Sequence, residues 1–329
     1  MVNRRNLIKS GLVLGTMAAL GKPASAQNSR WRHAIVASKG DAGFFYISQE
    51  KGFWSEFGLD VEIIEMKGSK DVIRALLAGE ADSSDSIPAD MLPAWERGVD
   101  VRAVGSTIIG YPYAMYVRPE VNDWSELEGK TFGVSGPGSA PHMFALAMLK
   151  TANVPTATMK IANAGGSTGR IKALAVGTLD ATAASTEFVP DADELGVKVL
   201  GEAKDMAPLF PRFLLTMTGS TIENRKDLAA RFAAGYVKGL RYAVEHRDET
   251  TALSAAKTGG DVSDSRYAYS YDEIVDNKMI SLDLAPANDR IQWMQDIMLE
   301  LGEMKQGVDI SKFVDTSVRD AALKLLTTG

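Results

Sequence analysis

The chain has 329 residues, 45% of them hydrophobic and 24% charged, with 36 Lys and Arg against 42 Asp and Glu for a formal net charge of −6. That acidic balance argues against nucleic acid and anionic membrane surfaces as partners, because both are recognised through basic patches. The sequence contains no cysteine, which excludes disulfides, thiolate metal sites, a thiol nucleophile and a lipid-modified N-terminal cysteine.

Residues 1–26 read as an export signal, with Arg4, Arg5 and Lys9, then an apolar run over 12–20, then the small residues Ala24-Ser25-Ala26. The apolar run is shorter than the ~20 residues that a bilayer span needs. Arg4-Arg5 in their context resemble the twin-arginine motif, although Leu7 stands where that motif favours Phe. An ordinary secretory signal that carries two arginines is the alternative. Cleavage after Ala26 would remove four basic residues and no acid, moving the net charge from −6 to −10. The expected product is a monomeric acidic protein, not lipid-anchored, in a periplasm-like compartment.

Short β-branched runs then alternate with helical patterns, the signature of parallel sheets covered by helices. Strands are expected at residues 34–38, 60–65, 81–84 and 100–106, with helices at 44–57, 70–78 and 89–97. A second series follows, with strands at 131–135, 158–162, 180–184 and 198–200 and helices at 141–152, 168–176 and 190–195. The two series repeat each other at an offset of 98: Gly68-Ser69-Lys70-Asp71-Val72 aligns with Gly166-Ser167-Thr168-Gly169-Arg170, Val36 with Val134 and Gly40 with Gly138, with no gap. Such a period is too long for a solenoid, whose units run roughly 20 to 50 residues, and it predicts two similar lobes with a cleft between them. Extended apolar segments at 111–118 and 211–218 follow the two copies and are placed to cross between lobes. Helices at 226–245, 248–256, 270–277, 286–301 and 315–326 are expected to fold back on the first lobe. The expected architecture is α/β: two Rossmann-like lobes joined by two crossing strands, residues 27–113 with 217–329 as lobe 1 and 114–216 as lobe 2.

Several segments carry a family resemblance. Gly52-Phe53-Trp54-Ser55-Glu56-Phe57-Gly58-Leu59-Asp60-Val61 is similar to the "GFFxxxGLDV" segment of the periplasmic solute-binding proteins of the nitrate, sulfonate and thiamine-pyrimidine type. Ala75-Leu76-Leu77-Ala78-Gly79-Glu80-Ala81-Asp82 resembles their "ALxxGxxD" segment, and Leu127 to Ser135, followed by Gly136-Pro137-Gly138-Ser139, resembles their "LKGKxxGVxxxGS" segment. The resemblance implies the type II periplasmic-binding-protein fold, with a ligand trapped at the hinge and closure sensed by an ABC permease with its ATPase. It implies binding without catalysis, no cofactor and only peripheral docking at the membrane. The related pyrimidine-forming enzymes of thiamine biosynthesis carry a cysteine-rich segment, which this chain lacks.

In open parallel sheets the ligand sits beyond the carboxyl ends of the strands. There the loop Gly138-Ser139 opens a helix and reads as an anion site or as an ordinary capped turn. Facing it across the cleft, Asp41 reads as a helix cap or a ligand acceptor, and one of Phe44 and Phe45 as a stacking surface. Gly68-Ser69 and Gly166-Ser167 offer backbone donors. Ser84, Asp85, Ser185 and Glu187 end the third strand pair, where the acids cap helices or meet an amine, and Glu187 also suits a lobe-closing contact. Tyr113 reaches both lobes from the first crossing, His142 lies in the first turn after the glycine loop, and Arg212 suits either a carboxylate or sulfonate ligand or a salt bridge. The histidines His33, His142 and His246 show no paired metal spacing. The expected ligand is a small organic anion, a sulfonate or an aromatic carboxylate; a pyrimidine is favoured instead if Asp85 and Glu187 both face the cleft.

Overall fold

The computed structural model describes residues 28–328; the expected export signal lies outside them. Strands β1 (Ser29–Val36), β2 (Leu59–Met66), β3 (Ser83–Ser86) and β4 (Val101–Ile108) belong to the first repeat. Strands β6 (Thr131–Val134), β7 (Lys160–Asn163), β8 (Ala181–Ser185) and β9 (Lys198–Glu202) belong to the second, and β5 (Tyr113–Val117) and β10 (Phe213–Thr218) follow the two repeats. They form two five-stranded sheets, ordered β2-β1-β3-β10-β4 and β7-β6-β8-β5-β9. β1 runs parallel to β2 and β3, and β6 to β7 and β8. β10 is antiparallel to both of its neighbours, as is β5.

Each repeat therefore gives its trailing strand to the other lobe. The chain crosses at residues 109–112 and 203–212, upstream of the segments expected to cross, and the second boundary lies before Phe213 instead of at 216. The reason is backbone pairing: an extended apolar strand left in a hinge would carry unpaired N–H and C=O groups, whereas inside a sheet both of its edges are satisfied.

The helices that follow β2 and β7 end alike. Glu80 N–H donates to the Ala75 carbonyl and Gly79 N–H to that of Leu76, while Thr178 and Gly177 donate to Ala173 and Leu174. This paired bonding needs a left-handed residue, and Gly79 and Gly177 supply it with φ of +70° and +73°. The repeat is not gap-free, however. His33 pairs with Ser83 but Phe132 with Ala181, separations of 50 and 49 residues, so β1 and β6 correspond one residue off the offset that relates β3 to β8. Because a one-residue slip turns a strand's faces over, the loop absorbs the difference. Counted from equivalent strand positions, the stretch from Val36 to Ala42 is one residue longer than that from Ser135 to Ala140, and it carries Lys39 and Gly40.

Two helix expectations also change. The segment 44–57 divides into Ala42–Glu50 and Phe53–Glu56 at Gly52, which has φ +71°. Residues 190–195 form turns after a short 3-10 segment, Thr186–Phe188.

The helices of the tail pack against the first repeat's elements. Helix Lys226–Glu245 stacks Phe232 between Trp31 and Trp54, with centroids 5.4 and 5.3 Å away. Helix Ser265–Asp276 goes further and touches the second lobe, where the Thr186 hydroxyl donates to Glu273. Helix Arg247–Thr258 lies so close to Ala42–Glu50 that a Cβ on Gly43 would fall 2.1 Å from the Thr250 carbonyl oxygen. Gly43→Ala should therefore destabilise the protein by about 1–3 kcal/mol, read as a lower urea midpoint. An unchanged midpoint would show that the two helices separate freely.

Candidate functional site

The carboxyl ends of the parallel strands in both sheets open on one cleft of about 960 Å³. One wall comes from the first lobe, with Lys39-Gly40 after β1 and Gly68-Ser69-Lys70 after β2; the other comes from the second, with Ser135 to Pro137 and Ser139 after β6, Gly166-Ser167-Thr168 after β7 and Glu187 after β8. Ile87, Tyr111, Tyr113 and Phe188 supply apolar surface. The tyrosine rings stack with centroids 4.2 Å apart.

Three helices present their first residues to this space: Ser69–Leu77, Ala140–Thr151 and Ser167–Ala175. Their leading N–H groups have no partner within the helix and carry the positive end of the dipole. At the second of them, the Ser139 hydroxyl does not cap the helix; it is buried, lines the cleft and has no hydrogen-bond partner.

Six cations line the cleft, Lys39, Lys67, Lys70, Arg74, Arg170 and Arg266, against two acids, Asp71 and Glu187. Asp71 pairs with Arg74 at 2.7 Å, and Arg266 pairs with Asp264 outside the cleft lining. Arg170 is the informative one. Only 1% exposed, it donates to the Ala183 carbonyl (2.9 Å), the Gly165 carbonyl and the hydroxyls of Ser135 (2.8 Å) and Ser167 (3.1 Å). Among the described residues no carboxylate is within ion-pair distance of it. A buried guanidinium with only neutral partners is an unbalanced charge, costly unless an anion joins it.

The nearest internal substitute for that anion is Tyr113. Its hydroxyl accepts from Lys39 Nζ at 2.7 Å and lies 3.4 Å from the Ser167 hydroxyl. Burial alone raises a phenol's pKa, but the charges of Lys39 and Arg170, with the hydrogen bonds from Lys39 and Ser167, bring it down from 10.0 to about 7.

The residues singled out from the sequence fall into three groups. Gly68, Ser69, Tyr113, Ser139, Gly166 and Glu187 line the cleft. The Ser69 hydroxyl is already committed to Asp90, whose carboxyl burial raises. Glu187 accepts from Gly40 N–H at 2.8 Å and from the Ser185 hydroxyl at 2.8 Å, so it ties one wall to the other. Asp41 and Arg212 line a narrow adjoining recess and pair with each other; Arg212 thus forms the salt bridge, and Asp41 makes no side-chain cap.

The remaining six are placed elsewhere. Phe44 stacks on Tyr271 in the core at 5.5 Å, and Phe45 sets its edge to Phe213. The Ser84 hydroxyl shares hydrogen bonds with Ser86 and Thr216. Asp85 is fully buried and accepts from Thr107 and Tyr236 with His33 beside it. Gly138 is left-handed, with φ +68°, and donates to His142 Nδ1 at 3.0 Å. His142 therefore braces the glycine loop from within, its pKa lowered by burial, and Ser185 braces Glu187.

Arg170 and Lys39 were not singled out, and Ser167 only as a backbone donor. The signal for Arg170 was present in the repeat, which aligns it with Val72, a fully buried core residue of the first lobe. A cation where the other copy keeps an apolar core residue marks a change of role.

Glu187→Ala removes the acceptor that spans the walls. Loss of a hydrogen bond to a charged group, about 1.5–3 kcal/mol, should shift the population at least tenfold toward an open form, seen as a larger radius of gyration in small-angle X-ray scattering. An unchanged scattering profile would show that closure does not depend on this contact.

The sequence profile of the family described as "NMT1/THI5 like" matches residues 40–250, which include the cleft loops and both crossings. No curated protein matches the chain significantly. Among solved structures, the periplasmic aliphatic sulphonate binding protein SsuA from Escherichia coli superposes with a TM-score of 0.70 at 16% identity, over 87% of this chain and 92% of that one. The periplasmic nitrate-binding protein NrtA from Synechocystis gives 0.74 at 13%, over 91% and 89%. A Candida albicans protein described as exhibiting the generic periplasmic binding protein structural fold gives 0.73 at 14%, over 87% and 96%. Likeness at such identities is one of fold, and it agrees with the two lobes and exchanged strands seen here. With its profile matched over more than half of its length, the chain belongs to the NMT1/THI5-like family and has the periplasmic binding protein fold.

Proposed function

We propose that this protein is the substrate-binding component of an ABC importer, and that it captures a small organic anion, a sulfonate or an aromatic carboxylate, for delivery to a membrane permease with its ATPase. The observation that carries this reading is Arg170, a buried cation on the cleft without a counter-ion. Ser139 supports it as a buried donor without an acceptor. The space also favours an organic body: about 960 Å³ with apolar surface from Ile87, Tyr111 and Phe188 is far more than a bare inorganic ion fills. Two of the similar structures are named for oxyanions, sulphonate and nitrate.

A pyrimidine would be held through acids. Asp85 faces the core of the first lobe and Glu187 is occupied by Gly40 and Ser185, so the anion is the better fit. The protein acts by closure without turnover: the ligand favours the closed state by its differential affinity for the two states. The proposed place of action is the periplasm, with residues 1–26 directing export. Among the described residues no helix is long and apolar enough to cross a membrane.

Two outcomes test this reading. Sulfonates or aromatic carboxylates at 100 times their Kd should add about 2.7 kcal/mol of stability, seen as a rise in melting temperature that Arg170→Gln abolishes. Stabilisation by pyrimidines but not by any anion would overturn it. The second outcome concerns pH. Below about 7 the Tyr113 hydroxyl is neutral and leaves Lys39 and Arg170 to the ligand; above it the phenolate competes for them. Affinity for the anion should therefore fall as pH rises through about 7, by up to about tenfold per pH unit for one linked proton. Tyr113→Phe should remove this dependence, along with a tyrosinate absorbance that titrates near 7 in the free protein; an affinity that does not change with pH would overturn this assignment.

A further inference from the structure

A second hollow of about 140 Å³ lies at the hinge and shares only Tyr111 with the lining of the cleft. Both crossings form it, Ile109-Gly110-Tyr111 from the first and Ala203-Lys204 with Ala207-Pro208 from the second. The turn Asn277-Lys278-Met279 and Arg290 from helix Asn288–Glu300 complete it. Three cations line it, Lys204, Lys278 and Arg290, and no acid does. The chain as a whole is acidic, so this concentration of positive charge runs against its composition.

The three cations differ in what already holds them. Lys204 is bonded to Glu202 at 2.9 Å. Arg290 is half-buried and donates to the Pro208 carbonyl, with no carboxylate in ion-pair distance among the described residues; burial lowers its pKa and the neighbouring charge of Asp289 only partly opposes this. Lys278 is exposed and sits in a left-handed conformation, φ +52°, which is strained for a residue with a Cβ. The turn that imposes this strain grips the first crossing: Ile109 N–H donates to the Met279 carbonyl at 2.7 Å, and a Cβ on Gly110 would meet Met279 Cγ at 2.6 Å. The cost of holding Lys278 there thus keeps its side chain beside the hinge.

We propose that this hollow is a second anion site, which takes a small inorganic oxyanion of the size of phosphate or sulfate and controls how easily the lobes rotate. Lys204 follows β9 of the second lobe, whereas Lys278 and Arg290 belong to the tail that completes the first. An anion between them ties the lobes together behind the crossings. Rotation about residues 109–112 and 203–212 changes the spacing of these cations, so the anion has different affinities for open and closed forms. By linkage it then changes the affinity of the cleft for its own ligand by the same factor. The size is suited to the purpose: at about 140 Å³ the hollow is a small fraction of the cleft's volume.

The test uses inorganic phosphate and sulfate as probes and Arg170→Gln protein as background, so that occupancy of the cleft does not enter. Isothermal titration should find one site that survives Arg170→Gln and is weakened about tenfold or more by Arg290→Gln. Lys278→Gln, a change at an exposed side chain, should weaken it as well, which separates loss of binding from loss of folding. In the Arg170→Gln background the bound anion should also alter the radius of gyration without any cleft ligand. Binding that disappears with Arg170→Gln, or that is indifferent to both Arg290→Gln and Lys278→Gln, would overturn the proposal. Neither result depends on which organic anion the cleft selects.

Discussion

Backbone pairing of two exchanged strands is the constraint on which the rest of this structure depends. β5 and β10 each enter the opposite lobe's sheet as its fourth strand, antiparallel to both neighbours. Their peptide groups are satisfied there, and withdrawing either would detach the edge strand beyond it. The chain must then pass between lobes twice, and the passages must be short. That leaves hinge motion as the freedom available to the lobes, and it sets the carboxyl ends of the parallel strands against each other across one cleft.

Charge is distributed within that frame in an uneven way. An acidic chain collects cations on the cleft, where one, Arg170, is buried among neutral acceptors. Tyr113 partly balances it with a hydroxyl that Lys39 and Arg170 make acidic. The unpaired Ser139 hydroxyl and the helix starts point to the same deficit of negative charge. Lobe-to-lobe contacts from Glu187 to Gly40 and from Thr186 to Glu273 hold this arrangement together. In the function proposed above, the energy of ligand capture and the energy of closure would thus be drawn from neighbouring atoms.

Much of the architecture was legible because local rules agree with it. Helix ends marked by Gly79 and Gly177, alternating strand and helix patterns and the long repeat all report on short-range geometry. The cleft loops followed from the rule that ligands sit beyond strand ends, and Gly68, Ser69, Gly166, Ser139 and Glu187 line the cleft accordingly. The misplaced residues have a common cause. Phe44, Ser84, Asp85 and His142 lie within a few residues of the cleft lining in the chain, but their side chains point another way, into the core or back onto their own loop. Which of two neighbours faces a ligand is a matter of fractions of a turn, and the one-residue difference between the loops of the two repeats is enough to change it.

Two related lobes, most strands and helices and the loops that end the strands could be read from the sequence alone, because these depend on periodicity, glycine conformations and internal likeness. Only the tertiary structure decided that the trailing strands change lobes, that Arg212 is consumed by Asp41, and that Arg170 and Tyr113 meet on the cleft. Those outcomes depend on which distant groups compete for the same charge, and that competition is settled only when residues far apart in the chain are brought within a few ångströms.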